Sequence, residues 1–160
     1  MKAPILIFWF RRDLRFEDNV GLYHALYQAK LQGHQVLPLF IFDKNILSQQ
    51  VEKKDRRVDF IHRTILSMQD KLVAKGKSMC VMFGSPIEVF EKLFKLYKVN
   101  GVYTNHDYGP KANERDDSIA KLAEQAGATY HHFKDQVIFE KDEVIKKLEA
   151  FLLFGNGINL

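Results

Sequence analysis

The sequence predicts an α/β protein in which a five-stranded parallel sheet of order 3-2-1-4-5 is covered by helices on both faces. Short apolar segments alternate along the chain with longer segments of helical periodicity, which is typical of parallel strands joined by crossover helices. The first three apolar segments lack polar alternation, as strands buried on both faces require. The expected fold is a Rossmann-like, three-layer α/β/α arrangement.

Five segments carry the strand signal. The first, ILIFWF, is wholly apolar, and the fifth, TYHHF, is the weakest. Pro38 cannot donate a hydrogen bond to a neighbouring strand, so we expect it near the start of the second strand. The predicted strands span residues 5–10, 36–42, 79–83, 102–104 and 129–133.

The first two predicted helices have recognisable start or stop residues. Asp18 or Asn19 can cap the first helix, and Gly33 can end it in a left-handed conformation. The second helix has apolar residues at spacings of four, three and four, and it stops at Gly76. The apolar positions are Val20, Leu22, Ala25, Leu26 and Ala29 in the first helix and Ile61, Ile65, Met68 and Leu72 in the second.

The third and fourth helices are marked in the same way. Residues 85–88, SPIE, form a capping-box sequence with proline at the first helical position. Gly127 is the predicted stop of the fourth helix. The apolar positions are Phe90, Leu93, Phe94 and Tyr97 in the third helix and Ile119, Leu122, Ala123 and Ala126 in the fourth.

Length and composition define the class of protein. With 160 residues, 46% hydrophobic and 28% charged, the chain is expected to form one globular domain, which excludes disordered and collagen-like classes. A net charge of +4 is only weak evidence for nucleic-acid binding. Cys80 is the single cysteine and lies in an apolar segment, which indicates a buried thiol. Because the sequence shows neither a signal peptide nor a bilayer-length apolar segment, we expect a cytoplasmic protein without a membrane partner.

Residues 1–135 are expected to form the α/β domain, and residues 136–160 a carboxy-terminal tail. The tail contains a predicted helix at about residues 143–154, which is too short to be a second domain. No linker-like composition marks an earlier boundary.

The candidate site lies where the first and fourth strands end. In an open parallel sheet, ligands bind at the carboxyl ends of the strands, where the strand order reverses, and order 3-2-1-4-5 makes strands one and four neighbours there. The loops that follow them, RRDLRFEDN and NHDYGPKANERDD, are the most polar of the chain. We expect these loops to meet in a shared polar crevice. The alternative is that their charged residues only form ion pairs and turns that hold the loops.

Five separated segments of the chain form a recognisable set: WFRRDLRFEDNVGLYHAL, VLPLFIFD, RRVDFIHRTILSMQDKL, FGSPIEVFEKL and VYTNHDYGPKANERDDSIAKLAEQAG, the last followed by KDQVIFEKDEV. In order and spacing, from Pro4 to about Val144, they resemble the amino-terminal α/β domain of the DNA photolyase and cryptochrome family. The resemblance is specific because all five segments agree.

The resemblance implies a light-driven flavoprotein. In this family the α/β domain binds an accessory antenna pigment, and a helical domain that follows a linker holds FAD and the lesion site. The function implied is the antenna-binding domain of a deoxyribodipyrimidine photolyase, which repairs pyrimidine dimers in damaged DNA. Because no helical FAD domain follows residue 135, residues 136–160 are interpreted as the start of the linker, and we expect the chain alone to be inactive.

The resemblance also assigns site residues. The antenna site is expected in the loop after the fourth strand and at the start of the second helix, with Asp43 as a further candidate. An aspartate can bind the polar edge of a pterin or deazaflavin ring, and an arginine can stack on it or pair with an acidic tail. The pigment candidates are Asn105, Asp107, Tyr108, Arg115, Arg57 and Asp43, and the residues with an interdomain or loop-structuring role are Arg11, Arg12, Asp13 and Arg15.

Deazaflavin and FMN are the favoured pigments. An Asn-Glu pair typical of folate-binding members is expected near Lys111 and Ala112, which supply neither group, so folate is less favoured. His131 and His132 point to opposite faces of a strand, and no metal site is predicted. Three other functions stay open: a cryptochrome-type blue-light receptor fragment, a free-standing mononucleotide-binding module, and an interaction domain that docks to helical partners.

Overall fold

The computed structural model describes residues 3–48, 56–107 and 109–135. Tyr108, the tail of residues 136–160 and its predicted helix lie outside these residues. In the described chain one helix joins each strand to the next, except that two helices lie between the second and third strands. They are β1 (Ile5–Phe10), α1 (Val20–Gln32), β2 (Gln35–Asp43), α2 (Lys44–Leu47), α3 (Arg56–Val73), β3 (Cys80–Gly84), α4 (Pro86–Leu96), β4 (Val99–Asn105), α5 (Pro110–Gln125) and β5 (Thr129–Phe133).

The predicted sheet topology is confirmed. Within the described residues, five parallel strands form one sheet in the order β3-β2-β1-β4-β5. Pro38 lies in the fourth position of β2, opposite Phe8 of β1. Strand β3 pairs with β2 only from Leu39 onward, so Pro38 precedes the part of β2 that has neighbours on both sides.

Two apolar cores lie on opposite faces of the sheet, which confirms the three-layer arrangement. Successive residues of β1 point to alternate faces, so this one strand contributes to both cores. One core joins Ile5, Ile7 and Trp9 to Val89, Phe90 and Leu93 of α4 and Ile119 and Ala123 of α5. The other joins Leu6, Phe8 and Phe10 to Leu22, Ala25 and Ala29 of α1 and Ile65 and Met68 of α3.

Strand β4 starts three residues earlier than the sequence predicts. Asn100 and Gly101 interrupt the apolar pattern, and for this reason the strand signal begins only at Val102. A glycine is favoured at position 101, because a Cβ there would lie 2.9 Å from the Thr129 hydroxyl oxygen of β5 and 3.0 Å from the Tyr103 ring. The sequence pattern places Gly101 before the start of β4. In the structure Gly101 lies inside the strand, where β5 approaches closely.

The four-residue helix α2 is not predicted from the sequence, which indicates a loop there. Asp43 caps it by accepting a hydrogen bond from the Asn45 amide at 2.9 Å. Lys44 then pairs with Glu88 of α4 at 2.7 Å. Helices shorter than about two turns lack the apolar periodicity that sequence patterns detect.

The capping box of α4 is present as predicted. The Ser85 hydroxyl accepts a hydrogen bond from the Glu88 amide at 3.3 Å, and the Glu88 carboxylate accepts from the Ser85 amide at 3.4 Å. Both interactions satisfy amides that the first turn of a helix leaves without partners.

Replacing Ser85 with alanine is expected to lower the free energy of unfolding by about 1 kcal/mol, because the first turn of α4 loses its side-chain acceptor. Urea denaturation of both proteins measures the difference. Ser118→Ala is the matched control. Ser118 is exposed on α5 and its hydroxyl donates to the Glu114 backbone oxygen of the same helix, so the substitution should be nearly neutral. Equal losses for the two variants would contradict the assigned cap.

In the part of the chain that the structure covers, none of the helices combines the length and the apolar character needed to cross a bilayer.

Candidate functional site

The loops that follow β1 and β4 lie against each other at the carboxyl end of the sheet. Arg11 Nη1 donates to both carboxylate oxygens of Asp116, at 2.7 and 2.6 Å, and Arg11 Nη2 donates to the backbone oxygen of Asn105. Arg12 Nη2 lies 3.3 Å from Oδ1 of Asp107. The first and fourth strands therefore end at one polar surface, and Arg11 and Asp107 lie on the same rim.

A buried polar network fastens the first loop to β4 and to the start of α1. Asn105 Nδ2 donates to Asp13 Oδ2 at 2.6 Å and to Asn19 Oδ1 at 2.9 Å. Asn105 Oδ1 accepts from the Gly21 amide at 2.9 Å, and a Cβ at Gly21 would lie only 2.6 Å from that oxygen. Asn19 also caps α1 by accepting from the Leu22 amide at 3.0 Å. The side chains of Asp13 and Asn105 are thus committed to holding the loops.

Two guanidinium groups lie close to Trp9, the only tryptophan of the sequence. The central carbons of Arg11 and Arg115 lie 5.2 and 5.0 Å from the Trp9 ring, which is cation–π distance. Asp116 pairs with both arginines, at 2.6 Å from Arg11 and 2.9 Å from Arg115. Arg115 also approaches Asp107 at 3.4 Å. The shared Asp116 carboxylate holds both arginines in place beside the indole ring.

A cavity of about 380 Å³ lies beside this charged cluster, toward β2 and α3. Its walls come from the carboxyl ends of β1 and β2, from α2, and from the first turns of α3. Small-molecule sites typically have volumes of about 300–1,000 Å³. The apolar lining includes Trp9, Phe10, Phe40, Phe42, Ile46, Leu47, Val58 and Ile61, and the charged lining is Arg11, Arg12, Asp43, Arg57, Asp107 and Arg115.

The cavity does not lie directly between the loops after β1 and β4, where the sequence predicts the ligand crevice. The crevice directly between the loops after β1 and β4, lined by residues such as Asp13 and His106, has no room for a water molecule. Ion pairs between the loops close it. The expectation of a ligand crevice between these two loops is therefore corrected: the loops converge, but the cavity lies next to them, on the β2 side.

The predicted pigment residues divide into two groups. Asn105 does not line the cavity, and its side chain is fully used in the buried network. Tyr108 lies outside the described residues. The other four candidates line the same cavity, although they come from the end of β2, from α3, from the loop after β4 and from α5: Asp43, Arg57, Asp107 and Arg115.

Arg15 fastens the first loop from the other side. Its guanidinium donates to the Asp18 backbone oxygen at 3.0 and 2.6 Å and pairs with Asp135 at 2.7 Å. Asp135 in turn accepts from the Val20 amide at 3.2 Å, at the start of α1. These contacts indicate that Arg15 structures the loop. The Arg12 side chain, by contrast, is 70% exposed to solvent.

The sequence predicts the charged residues of the cavity but not its apolar wall. Val58 and Ile61 lie three residues apart on α3, in the apolar stripe that continues into the core at Ile65. The sequence pattern, in which the stripe begins at Ile61, predicts only a core-facing surface. The remaining wall residues, Ile46 and Leu47, belong to α2, whose sequence carries no helical signal.

Tyr130 lies beneath the charged cluster. Burial, reinforced by the nearby Asp116 carboxylate, raises the pKa of its phenol, while Arg11 and Arg115 act in the opposite direction. Among the described residues its hydroxyl oxygen meets no hydrogen-bond partner. Tyr130 therefore stays neutral through the physiological range.

The histidines of β5 point to opposite faces of the sheet. His131 contacts the ring of Tyr103, with centroids 4.8 Å apart, and His132 contacts His106 at 4.2 Å. Burial lowers the pKa of His131. Across residues 3–48, 56–107 and 109–135, no group of three or more histidine, cysteine or acidic side chains is arranged to hold a metal ion.

An Asn-Glu pair does occur near the position considered for folate. Asn113 and Glu114 lie on α5, directly before Arg115, and both are exposed. Lys111 and Ala112, which supply neither group of such a pair, lie two residues earlier. Folate stays the less favoured of the predicted pigments.

Comparison with known proteins identifies the family. A family model described as DNA photolyase matches residues 6–157. The chain belongs to the DNA photolyase family. Its fold is that of the amino-terminal α/β domain of photolyases, and cryptochromes also occur among its relatives.

Three relatives illustrate the similarity. A deoxyribodipyrimidine photo-lyase from Synechococcus is 31% identical over 145 residues, covering 91% of this chain and 29% of the relative. Cryptochrome-1 from Drosophila melanogaster is 28% identical over 146 residues, covering 88% and 26%. The crystal structure of an archaeal photolyase from Sulfolobus tokodaii matches with a TM-score of 0.77 at 36% identity, covering 86% and 31%. The chain spans less than a third of the length of each.

Proposed function

We propose that this domain binds a planar, light-absorbing antenna pigment in the 380 Å³ cavity, as part of a deoxyribodipyrimidine photolyase. The parent protein would use FAD, held in a helical domain, for light-driven repair of pyrimidine dimers in DNA. The chain itself would supply the pigment site and no catalytic residue.

The observation that carries the proposal is the composition of the cavity. Aromatic and aliphatic side chains form its walls. Charged side chains from the carboxyl ends of β1, β2 and β4 and from α3 and α5 also line it, which is the usual arrangement of a site for a flat ring with polar substituents. Phe42, which lines the cavity and is only partly buried, offers a ring surface for stacking. The position at the carboxyl ends of the strands is the one where ligands bind in open parallel sheets.

The charged residues suggest how the pigment is oriented. Asp43 and Asp107 can accept hydrogen bonds from ring N–H groups, and Arg57 can pair with a phosphate or carboxylate tail. Four arginines and two aspartates line the cavity, so the local charge favours an anionic ligand. These roles follow from chemistry and position, and each is a prediction.

A flavin is the pigment that we favour. The Sulfolobus tokodaii photolyase holds two FAD molecules, and its structure was reported with the implication of a novel light-harvesting cofactor. That protein shares 36% of its residues with this chain over the aligned region. Deazaflavin, FMN and folate are the other pigments to be tested.

Titration of the purified chain with FAD, FMN, a deazaflavin and a reduced folate tests the proposal. One of the four is expected to bind saturably, with loss of Trp9 emission, because Trp9 lines the cavity and can transfer excitation to a pigment there. ADP serves as a control that lacks the absorbing ring. Failure of all four pigments to bind would contradict the proposal, and ADP binding as tight as FAD would favour a mononucleotide-binding module instead.

A cryptochrome-type blue-light receptor is the second candidate for the parent protein, since cryptochromes from chicken and Drosophila match most of this chain. Both candidates use the same pigment domain. Repair of ultraviolet-damaged DNA by the complete parent protein under blue light distinguishes them. The cytoplasm is the proposed location, a compartment in which a single unpaired cysteine such as Cys80 stays reduced.

A further inference from the structure

Helix α1 is apolar on the face that points away from the sheet. Its inner face packs on β1, β2, β4 and β5. Apolar side chains also recur on the opposite face at spacings of three and four, which is unusual for a helix on a protein surface. The outward side chains and their exposed fractions are Val20 (37%), Tyr23 (63%), Tyr27 (49%) and Leu31 (63%), and we call them the outer stripe.

The described chain ends at the start of this stripe. The Asp135 carboxylate is only 1% exposed and lies 2.7 Å from the Arg15 guanidinium. Its second oxygen accepts from the Val20 amide at 3.2 Å. The preceding strand is also fastened to α1, because Phe133 stacks on His24 with centroids 4.4 Å apart. The residues that follow Asp135 therefore leave the domain beside the first turn of α1.

The following sequence carries an apolar stripe that matches α1 in length. In the predicted helix 143–154, apolar residues recur at the spacing of one helical face, and the helix would be about 18 Å long against about 20 Å for α1. Residues 136–142 can reach about 23 Å when extended, so either direction of docking is within range. The apolar residues are Val144, Ile145, Leu148, Phe151 and Leu152.

We propose that residues 143–154 dock as an amphipathic helix on the outer stripe of α1. The contact would remove both apolar surfaces from water, which is the driving force for helix-to-helix packing. It would also fix the direction in which the chain continues toward any following domain. The proposal is independent of the pigment, since the outer stripe does not line the cavity.

Hydrogen–deuterium exchange of the full 160-residue chain tests this docking. Peptides that cover residues 143–154 are expected to exchange slowly in the wild type and about tenfold faster in Tyr27→Glu, which places a charge in the centre of the stripe. Ile87→Glu is the control, because Ile87 is similarly exposed, at 43%, but lies on α4 at the opposite face of the sheet. This control variant should keep the wild-type protection.

Three results would overturn the proposal. The first is unprotected exchange of residues 143–154 in the wild-type chain. The second is equal protection in the wild type and Tyr27→Glu, which would place the docking surface elsewhere. The third is protection that disappears on dilution together with loss of a dimer, which would show that a second copy of the chain covers the stripe.

Discussion

Replacing Asn105 with alanine is expected to lower the free energy of unfolding by about 3 kcal/mol, one of the two largest effects that the structure predicts. The variant loses hydrogen bonds to Asp13, Asn19 and the Gly21 amide, all of them buried. A buried donor or acceptor that is left without a partner costs about 1–3 kcal/mol, so the loss exceeds that of a surface hydrogen bond. Urea denaturation monitored by circular dichroism measures it.

Asn100→Ala is the matched control. Asn100 lies in the same strand, β4, but its side chain is only partly buried and makes one long contact, 3.5 Å to His34 Nε2. We expect this substitution to cost about 0.5 kcal/mol. If Asn105→Ala costs no more than Asn100→Ala, the network is not what holds the site loops together.

Replacing Val58 with tryptophan is expected to raise the dissociation constant of the pigment about a hundredfold. Val58 lies on the first turns of α3 and lines the cavity, so an indole there occupies space that the pigment ring requires. The side chain is only partly buried, and for that reason the larger residue should be accommodated without unfolding. Equilibrium dialysis with the pigment identified by titration measures the change.

His62→Trp controls for the chemistry of the new side chain. His62 is exposed on the same helix and does not line the cavity. This variant should bind the pigment as the wild type does. Unchanged affinity in Val58→Trp, or equal loss in both variants, would place the pigment outside the cavity.

The strands and helices could be predicted because their signals are local. The capping residues of α4 and the glycine that ends α1 act within one turn of the chain, and the wholly apolar β1 is distinctive on its own. Helix α2 is too short to have a local signal, whereas at β4 the missing information lies in a distant residue. Gly101 lies within β4, where a Cβ would lie 2.9 Å from the Thr129 hydroxyl oxygen of β5, and no local pattern records this contact between strands.

The candidate site was only partly predictable for a related reason. Strand order correctly indicated that the loops after β1 and β4 meet. It could not indicate that Arg11 and Asp116 pair closely enough to close the space between them. The open volume depends instead on how α2 and the first turn of α3 stand away from β2, and this arrangement is set by tertiary packing.

The buried network and the cavity are parts of one structure. Asp13 and Asn19 hold the loop that carries Arg11, and Arg11 with Arg115 lies against Trp9 in the cavity wall. We expect the buried network to maintain the geometry of the cavity wall, although neither Asn19 nor Asn105 lines the cavity. Weak pigment binding in Asn105→Ala, even under conditions where the variant is folded, is the expected consequence.

The most direct test is a crystal structure of the chain reconstituted with the pigment that binds in titration. We expect the pigment ring to lie in the cavity between Phe42 and Val58, with its polar edge toward Asp43 or Asp107 and any acidic tail toward Arg57. Pigment bound on another surface, with this cavity unchanged and empty, would show that the cavity is not the pigment site.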